Sequence, residues 1–123
     1  MSSPKTILIV DDSRVSRMMI RAMILEKHKD WILEEAASGE EALEKIRTFV
    51  PDLISMDVNM PGMGGVAAAE RLREECPLAH ISLLTANVQE STRQRATTLG
   101  IGFVEKPITK IRIHQMIAIL EET

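Results

Sequence analysis

Five short apolar runs, each followed by a stretch with helical spacing, limit what this chain can fold into more than any other feature. The runs are Thr6-Ile-Leu-Ile-Val10, Trp31-Ile-Leu-Glu-Glu-Ala36, Leu53-Ile-Ser-Met56, His80-Ile-Ser-Leu-Leu84 and Ile101-Gly-Phe-Val-Glu105. Each has the length and composition of a strand. Between them, helices are predicted over 14–28, 38–49, 65–75, a stretch ending at Leu99, and a last one reaching Leu120. The punctuation agrees. Ser13 or Asp12 can cap the first helix, Ser38 stands three residues before Glu41 in capping-box spacing, and Thr109 can cap the last. Pro51, Cys76-Pro77 and Gly100 close the second, third and fourth.

Strands alternating with helices call for right-handed βαβ units, hence a parallel sheet with helices on both faces. A chain of 123 residues makes one domain with one core. A β/α barrel would need about eight such units. The expected fold is therefore a single α/β domain over 1–123, a doubly wound, flavodoxin-like (βα)5 sheet. The net charge of −3 and the scarcity of aromatics (two Phe, one Trp, no Tyr) argue against nucleic acid as a partner. The single cysteine, Cys76, allows no internal disulfide and suits a reducing compartment. No apolar run has transmembrane length and Met1 to Lys5 do not form a signal peptide, so no membrane and a cytoplasmic location are expected.

The chemistry gathers at the strand ends. The run Asp52-Leu-Ile-Ser-Met-Asp57-Val-Asn59-Met-Pro61-Gly62 delivers Asp57 to the carboxyl end of the most apolar strand. Asp11 and Asp12 follow the first strand, Thr85 the fourth and Lys106 the fifth. Taken singly, Asp11-Asp12 is a helix-capping turn, Thr85 a cap and Lys106 a solvated charge. Taken together, a parallel sheet brings all five to one edge, where open α/β sheets place their ligands. Clustered carboxylates repel and raise one another's pKa values unless a cation intervenes. Oxygen ligands of this kind suit Mg2+, which binds through a few carboxylates plus phosphate. With a lysine and a hydroxyl opposite, the set describes phosphoryl transfer onto Asp57.

The same residues carry a family resemblance. Ile7-Leu-Ile-Val-Asp11-Asp12-Ser13, Met56-Asp57-Val-Asn59-Met-Pro61-Gly-Met-Gly-Gly65, Leu83-Leu-Thr85-Ala86 and Lys106-Pro107-Ile108 together resemble the receiver domain of two-component response regulators, above all the stand-alone chemotaxis type. The resemblance covers the whole chain and implies strand order 2-1-3-4-5. It also implies that Asp57 accepts a phosphoryl group from a histidine kinase or a histidine phosphotransfer protein. Asp12, Asp57 and the backbone carbonyl of Asn59 would hold Mg2+, with Asp11 reaching it through water. Lys106 would pair with the phosphoryl oxygens, Thr85 would swing inward, and Phe103 would follow as the switch aromatic. Phe103 stands where many relatives carry Tyr and offers no hydroxyl to a partner. The Lys106-Pro107 bond is cis in the family. Asn59 and Asn87 flank the line of water attack, and neither is expected to block it. The phosphorylated protein would act on a downstream target, or on a second copy of itself, without catalysis on an external substrate. No output domain is expected in this chain.

Two helices carry surplus apolar residues. In the last helix Ile113, Met116, Ile117 and Leu120 form one stripe, and Ile111, Ala118 and Ile119 gather nearly opposite. In the first, Met19, Ile20, Met23 and Ile24 lie on one side and Val15, Met18, Ala22 and Leu25 on another. One stripe per helix can face the sheet; loops or neighbouring helices could cover the other, or it could be a contact surface. On the second reading the first helix would meet a kinase or phosphotransfer helix. The last helix would join the surface of helix four, strand five and helix five, used for dimers or targets. His28, His80 and His114 lack metal spacing and are expected in surface or packing roles. Three other readings share parts of this pattern. A nucleotide- or flavin-binding module would want a phosphate loop where Asp11-Asp12 stands. A phosphohydrolase would need a substrate lid. A receiver cut from a longer regulator would keep all of the chemistry.

Overall fold

The computed structural model describes residues 4–60, 62, 64–86 and 89–122, so that Pro61 and Asn87 lie outside the described residues. The apolar runs are strands and the periodic stretches are helices. In chain order they are β1 (Thr6–Val10), α1 (Arg14–Lys27), β2 (Ile32–Ala36), α2 (Gly39–Lys45), β3 (Leu53–Asp57), α3 (Gly65–Glu75), β4 (His80–Thr85), α4 (Glu90–Leu99), β5 (Gly102–Glu105) and α5 (Lys110–Glu121). All neighbouring strands pair in parallel, in the order β2-β1-β3-β4-β5. The flavodoxin-like (βα)5 expectation holds, including the strand order.

Successive residues of a strand point to opposite faces, and β1 divides the core accordingly. Ile7 and Ile9 face α1 and α5, where they meet Ile20, Ile24, Ile113 and Ile117. Leu8 and Val10 face the other way, toward Ala42 of α2, Ala68 and Leu72 of α3 and Ala96 of α4. β3, the middle strand, is buried at every position, which is why it reads as a continuous apolar run. Packing rather than local preference orients the helices. In α5, Ile113, Met116, Ile117 and Leu120 are buried, each contributing about 1.5–3 kcal/mol. The Thr109 hydroxyl, which accepts from the Arg112 amide, contributes about 1 kcal/mol.

Several boundaries differ from the sequence expectation. At α1 there is no conflict: of the two cap candidates Ser13 is the one used, its Oγ accepting from the Ser16 amide at 3.2 Å. α2 stops at Lys45 rather than near Phe49, because the chain tightens there into a turn in which the Thr48 amide and hydroxyl both donate to the Lys45 carbonyl. Trp31 precedes β2 and stacks on His28, with ring centroids 3.9 Å apart. The His28 ring also pairs with Glu121, and His114 faces the Met23 carbonyl at 3.1 Å; both histidines serve packing of α1 on α5. The α1 stripe is narrower than its wheel suggests: Ile20 and Ile24 are buried, whereas Met19 is 41% exposed and joins Val15 and Met18 outside. In α5, Ile111 and Ile119 are exposed, on the side away from the core. No helix among the described residues is long and apolar enough to cross a membrane.

The entry to α3 is fixed by contact. A Cβ on Gly65 would stand 2.1 Å from the Asp57 carbonyl oxygen and 2.7 Å from Val58 Cα, both of them backbone. Gly64, at φ 79°, has nothing within 4 Å of such a Cβ; its requirement is conformational only. Gly65→Ala is therefore expected to lower unfolding free energy by about 3 kcal/mol, as overpacking against backbone does. Gly64→Ala should cost about 1 kcal/mol. Urea denaturation of both variants checks the order, and equal losses would contradict it.

Candidate functional site

Strand register sets the site. Val10 is level with Met56, so Asp11, one residue further, stands beside Asp57. Asp57 is level with Leu84, which puts Thr85 next along the neighbouring strand. Thr85 in turn is level with Glu105, and Lys106 follows. Three hydrogen bonds carry the pairing past the strand ends: Asp11 N to Ala36 O at 3.0 Å, Val58 N to Leu84 O at 3.0 Å, and Lys106 N to Thr85 O at 2.9 Å. The edge of the sheet therefore holds the functional residues on regular backbone, with little slack between them.

The side chains converge. One oxygen each from Asp11, Asp12 and Asp57 lies within 4.8 Å of the others. Lys106 Nζ donates to Asp57 Oδ1 at 2.8 Å, a short, charge-assisted bond, and the Asn59 amide approaches the same oxygen at 3.3 Å. Asp57 is only 4% exposed and Asp11 2%, while Asp12 is exposed. Asp11 is held at three of its four polar atoms. Its N–H donates to Ala36, its carbonyl accepts from Arg17 Nη1 at 2.6 Å, and its Oδ1 accepts from the Ser13 amide at 2.8 Å. The fourth atom, Oδ2, is buried and has no hydrogen-bond partner among the described residues.

A buried, unpartnered carboxylate oxygen beside two further acids is costly unless something positive meets it. Burial pushes the Asp11 carboxyl above its usual range, and the charges of Asp57 and Asp12 add to this, while the Ser13 amide and Lys106 oppose it. One ammonium, already bonded to Asp57, faces three acids. A hard divalent cation taking oxygen ligands fits this donor set: Asp11, Asp12 and Asp57 could hold Mg2+.

Of the residues singled out in the sequence, Asp11, Asp12, Asp57 and Lys106 come together. Thr85 is buried at the end of β4. Asn59 is exposed just beyond β3, its amide on Asp57. Phe103 lies on β5, partly buried against the α2, α3 and α4 face of the core, with the Arg93 guanidinium 5.5 Å from its ring centre. The Lys106-Pro107 bond is cis. Asn87 and Pro61 lie outside the described residues. Arg17 was missed. Its signal was available: α1 opens on Arg14 and Arg17 with no acid in its first turn, although cations at a helix start oppose the dipole.

An acidic cluster at the carboxyl edge of a doubly wound sheet, with a lysine bonded to the central acid, marks a class of α/β domains that carry their chemistry at that edge. Comparison with known proteins makes it specific. Residues 7–118 match the response regulator receiver domain, and the chain belongs to that family, the signalling domains of two-component systems. It is 36% identical over 107 residues to the chemotaxis protein CheY of Halobacterium salinarum, covering 86% of this chain and 88% of that protein. It is 37% identical over 112 residues to CheY of Bacillus subtilis, covering 90% and 92%. A protein-glutamate methylesterase/protein-glutamine glutaminase of Syntrophomonas wolfei is 36% identical over 121 residues, and the chain spans 34% of its length. Among solved structures, the Vibrio cholerae chemotaxis protein CheY4 superposes with a TM-score of 0.85 at 28% identity, covering 94% of this chain and 98% of that one. A two-component response regulator of the LuxR family from Aurantimonas gives 0.84 at 31% identity, covering 98% and 87%.

The raised Asp11 pKa has a stability consequence with a definite sign. The folded protein holds this proton more tightly than the unfolded chain does. Asp11 is therefore neutral toward stability below its ordinary value of 3.8, and increasingly unfavourable as pH rises through the interval up to its folded value. Asp11→Asn keeps an acceptor for the Ser13 amide and removes the charge. In metal-free buffer it should be more stable than wild type at pH 7, the difference vanishing below pH ~3.8. Urea midpoints across that range decide it, and an Asn variant less stable at pH 7 would contradict the cost assigned to the charge.

Proposed function

We propose that Asp57 of this receiver accepts a phosphoryl group from the phosphohistidine of a histidine kinase or a histidine phosphotransfer protein, and that the change is relayed to a protein partner. The observation that carries the proposal is the Lys106 ammonium, 2.8 Å from Asp57 Oδ1, inside the cluster completed by Asp11 and Asp12. An Asp57 carboxylate oxygen attacks phosphorus, the phosphorus–nitrogen bond breaks, its electron pair stays on the imidazole, and an acyl phosphate forms. Asp11, Asp12, Asp57 and the Asn59 carbonyl would hold Mg2+, whose positive charge would offset the negative charge of the transferring oxygens. Lys106 passes from the carboxylate to a phosphoryl oxygen, which keeps its charge matched before and after transfer.

Loss of the acyl phosphate to water returns the Asp57 carboxylate and releases phosphate. The protein thus acts on itself, as a switch. Thr85 supplies a hydroxyl donor to the bound phosphoryl group from the neighbouring strand. Phe103, partly buried beside Arg93, follows Thr85 and changes the surface of α4, β5 and α5, where Ile111 and Ile119 are exposed. That surface takes the downstream target or a second copy of the chain. Similarity to chemotaxis proteins over nine-tenths of their length supports chemotaxis as the pathway.

Incubation with Mg2+ and a small phosphodonor such as acetyl phosphate should add the mass of one phosphoryl group. Asp57→Ala should gain nothing, and chelation of Mg2+ should abolish the gain in wild type. A gain that persists in Asp57→Ala would place the acceptor elsewhere and overturn the proposal.

A further inference from the structure

The residues that hold the acidic turn from behind have no part in the chemistry above. Arg17, on the first turns of α1, uses two edges of its guanidinium. Nη1 donates to the Asp11 backbone carbonyl at 2.6 Å and Nε donates to Glu35 Oε1 at 2.9 Å. The side chain is 15% exposed, so these bonds are largely shielded from water. Glu35 is itself braced: its Oε2 accepts from Arg21 Nη1 at 3.4 Å, and Lys45 Nζ from α2 donates to its backbone carbonyl. A connected path therefore runs from α2 and β2 through Glu35 and Arg17 to Asp11. The rest of Asp11 is fixed by Ala36 and Ser13, and only Oδ2 lacks a partner.

We infer that Arg17, oriented by Glu35, is a positioning residue: it fixes the Asp11 peptide so that the unpartnered Asp11 oxygen and the Asp12 carboxylate stay spread for a divalent ion. This rests on the proposed function for the identity of the ion, but not for the contacts. The task needs an arginine. A planar fork reaches two acceptors in different directions, whereas a lysine ammonium is a point donor at the end of a flexible stem. It also accounts for a cation at the start of α1, a position the helix dipole disfavours. Partners behind metal ligands commonly set affinity in this way.

Mg2+ binding by isothermal titration and metal-free hydrogen exchange of the Ser13 amide test the inference, in wild type, Arg17→Gln, Arg17→Lys, Glu35→Gln and Arg21→Gln. Arg17→Gln should weaken Mg2+ binding about tenfold or more, the size found for such partners, and should speed Ser13 exchange without metal. Glu35→Gln should act in the same direction and less, and Arg17→Lys should recover part of the loss. Arg21 meets Glu35 only at 3.4 Å and otherwise the Leu33 carbonyl, so Arg21→Gln should weaken Mg2+ binding far less than Arg17→Gln does. Equal losses in Arg17→Gln and Arg21→Gln would reduce Arg17 to a structural role and overturn the inference. So would wild-type affinity and exchange in Arg17→Gln. If wild type binds Mg2+ and gains a phosphoryl group while Arg17→Gln matches it, the positioning role alone falls. If wild type binds no Mg2+, both readings fall.

Discussion

Repulsion among three carboxylates is the constraint on which this structure turns. A chain gains nothing in stability by gathering Asp11, Asp12 and Asp57 within 4.8 Å, two of them nearly buried. The fold forces the meeting: parallel strands of matched length end at one edge, and hydrogen bonds run one residue past the strands on both sides of it. Lys106 offsets part of the repulsion through Asp57. Asp11 is left with a buried oxygen and a pKa pushed up by burial. Such a site is stable enough to exist and leaves a charge imbalance that a bound cation would relieve.

The scaffold can carry this cost because its two apolar layers are independent of it. β1 sends Ile7 and Ile9 to one face and Leu8 and Val10 to the other, and both sets are fully buried. The helices that close the faces meet the site only at their first turns. α1 contributes Arg17 and its cap Ser13, α3 contributes the backbone contact at Gly65, and further along the helices Ile20 and Ile24 of α1 and Ala68, Ala69 and Leu72 of α3 pack in the core. Changes at the edge of the sheet can therefore be large in charge and small in packing, which is what a reversible modification requires.

Much of this was legible before any coordinates. Strand ends are marked by apolar runs followed by polar residues, so Asp11, Asp57, Thr85 and Lys106 could be placed on one edge from the alternation alone. What could not be read depends on reach across the fold. Gly65 falls at the predicted start of the third helix, yet its role is the lack of a side chain against Asp57 and Val58. Arg17 was not singled out, because its bond is to Glu35 of β2, eighteen residues away. Met19 shares a side of the helical wheel with Ile20 and Ile24, but α1 sits on the sheet by those two isoleucines and leaves Met19 outside. α2 ended early because a threonine hydroxyl competed for a helix carbonyl, an effect that composition does not reveal.

The central claim is that the sheet edge holds a divalent cation between the β1 and β3 acids. Anomalous diffraction from crystals of the protein grown with Mn2+ as a stand-in tests it most directly. The account predicts a single strong peak among the carboxylates of Asp11, Asp12 and Asp57, lost in Asp57→Ala. A peak elsewhere, or none at this edge at saturating Mn2+, would contradict it.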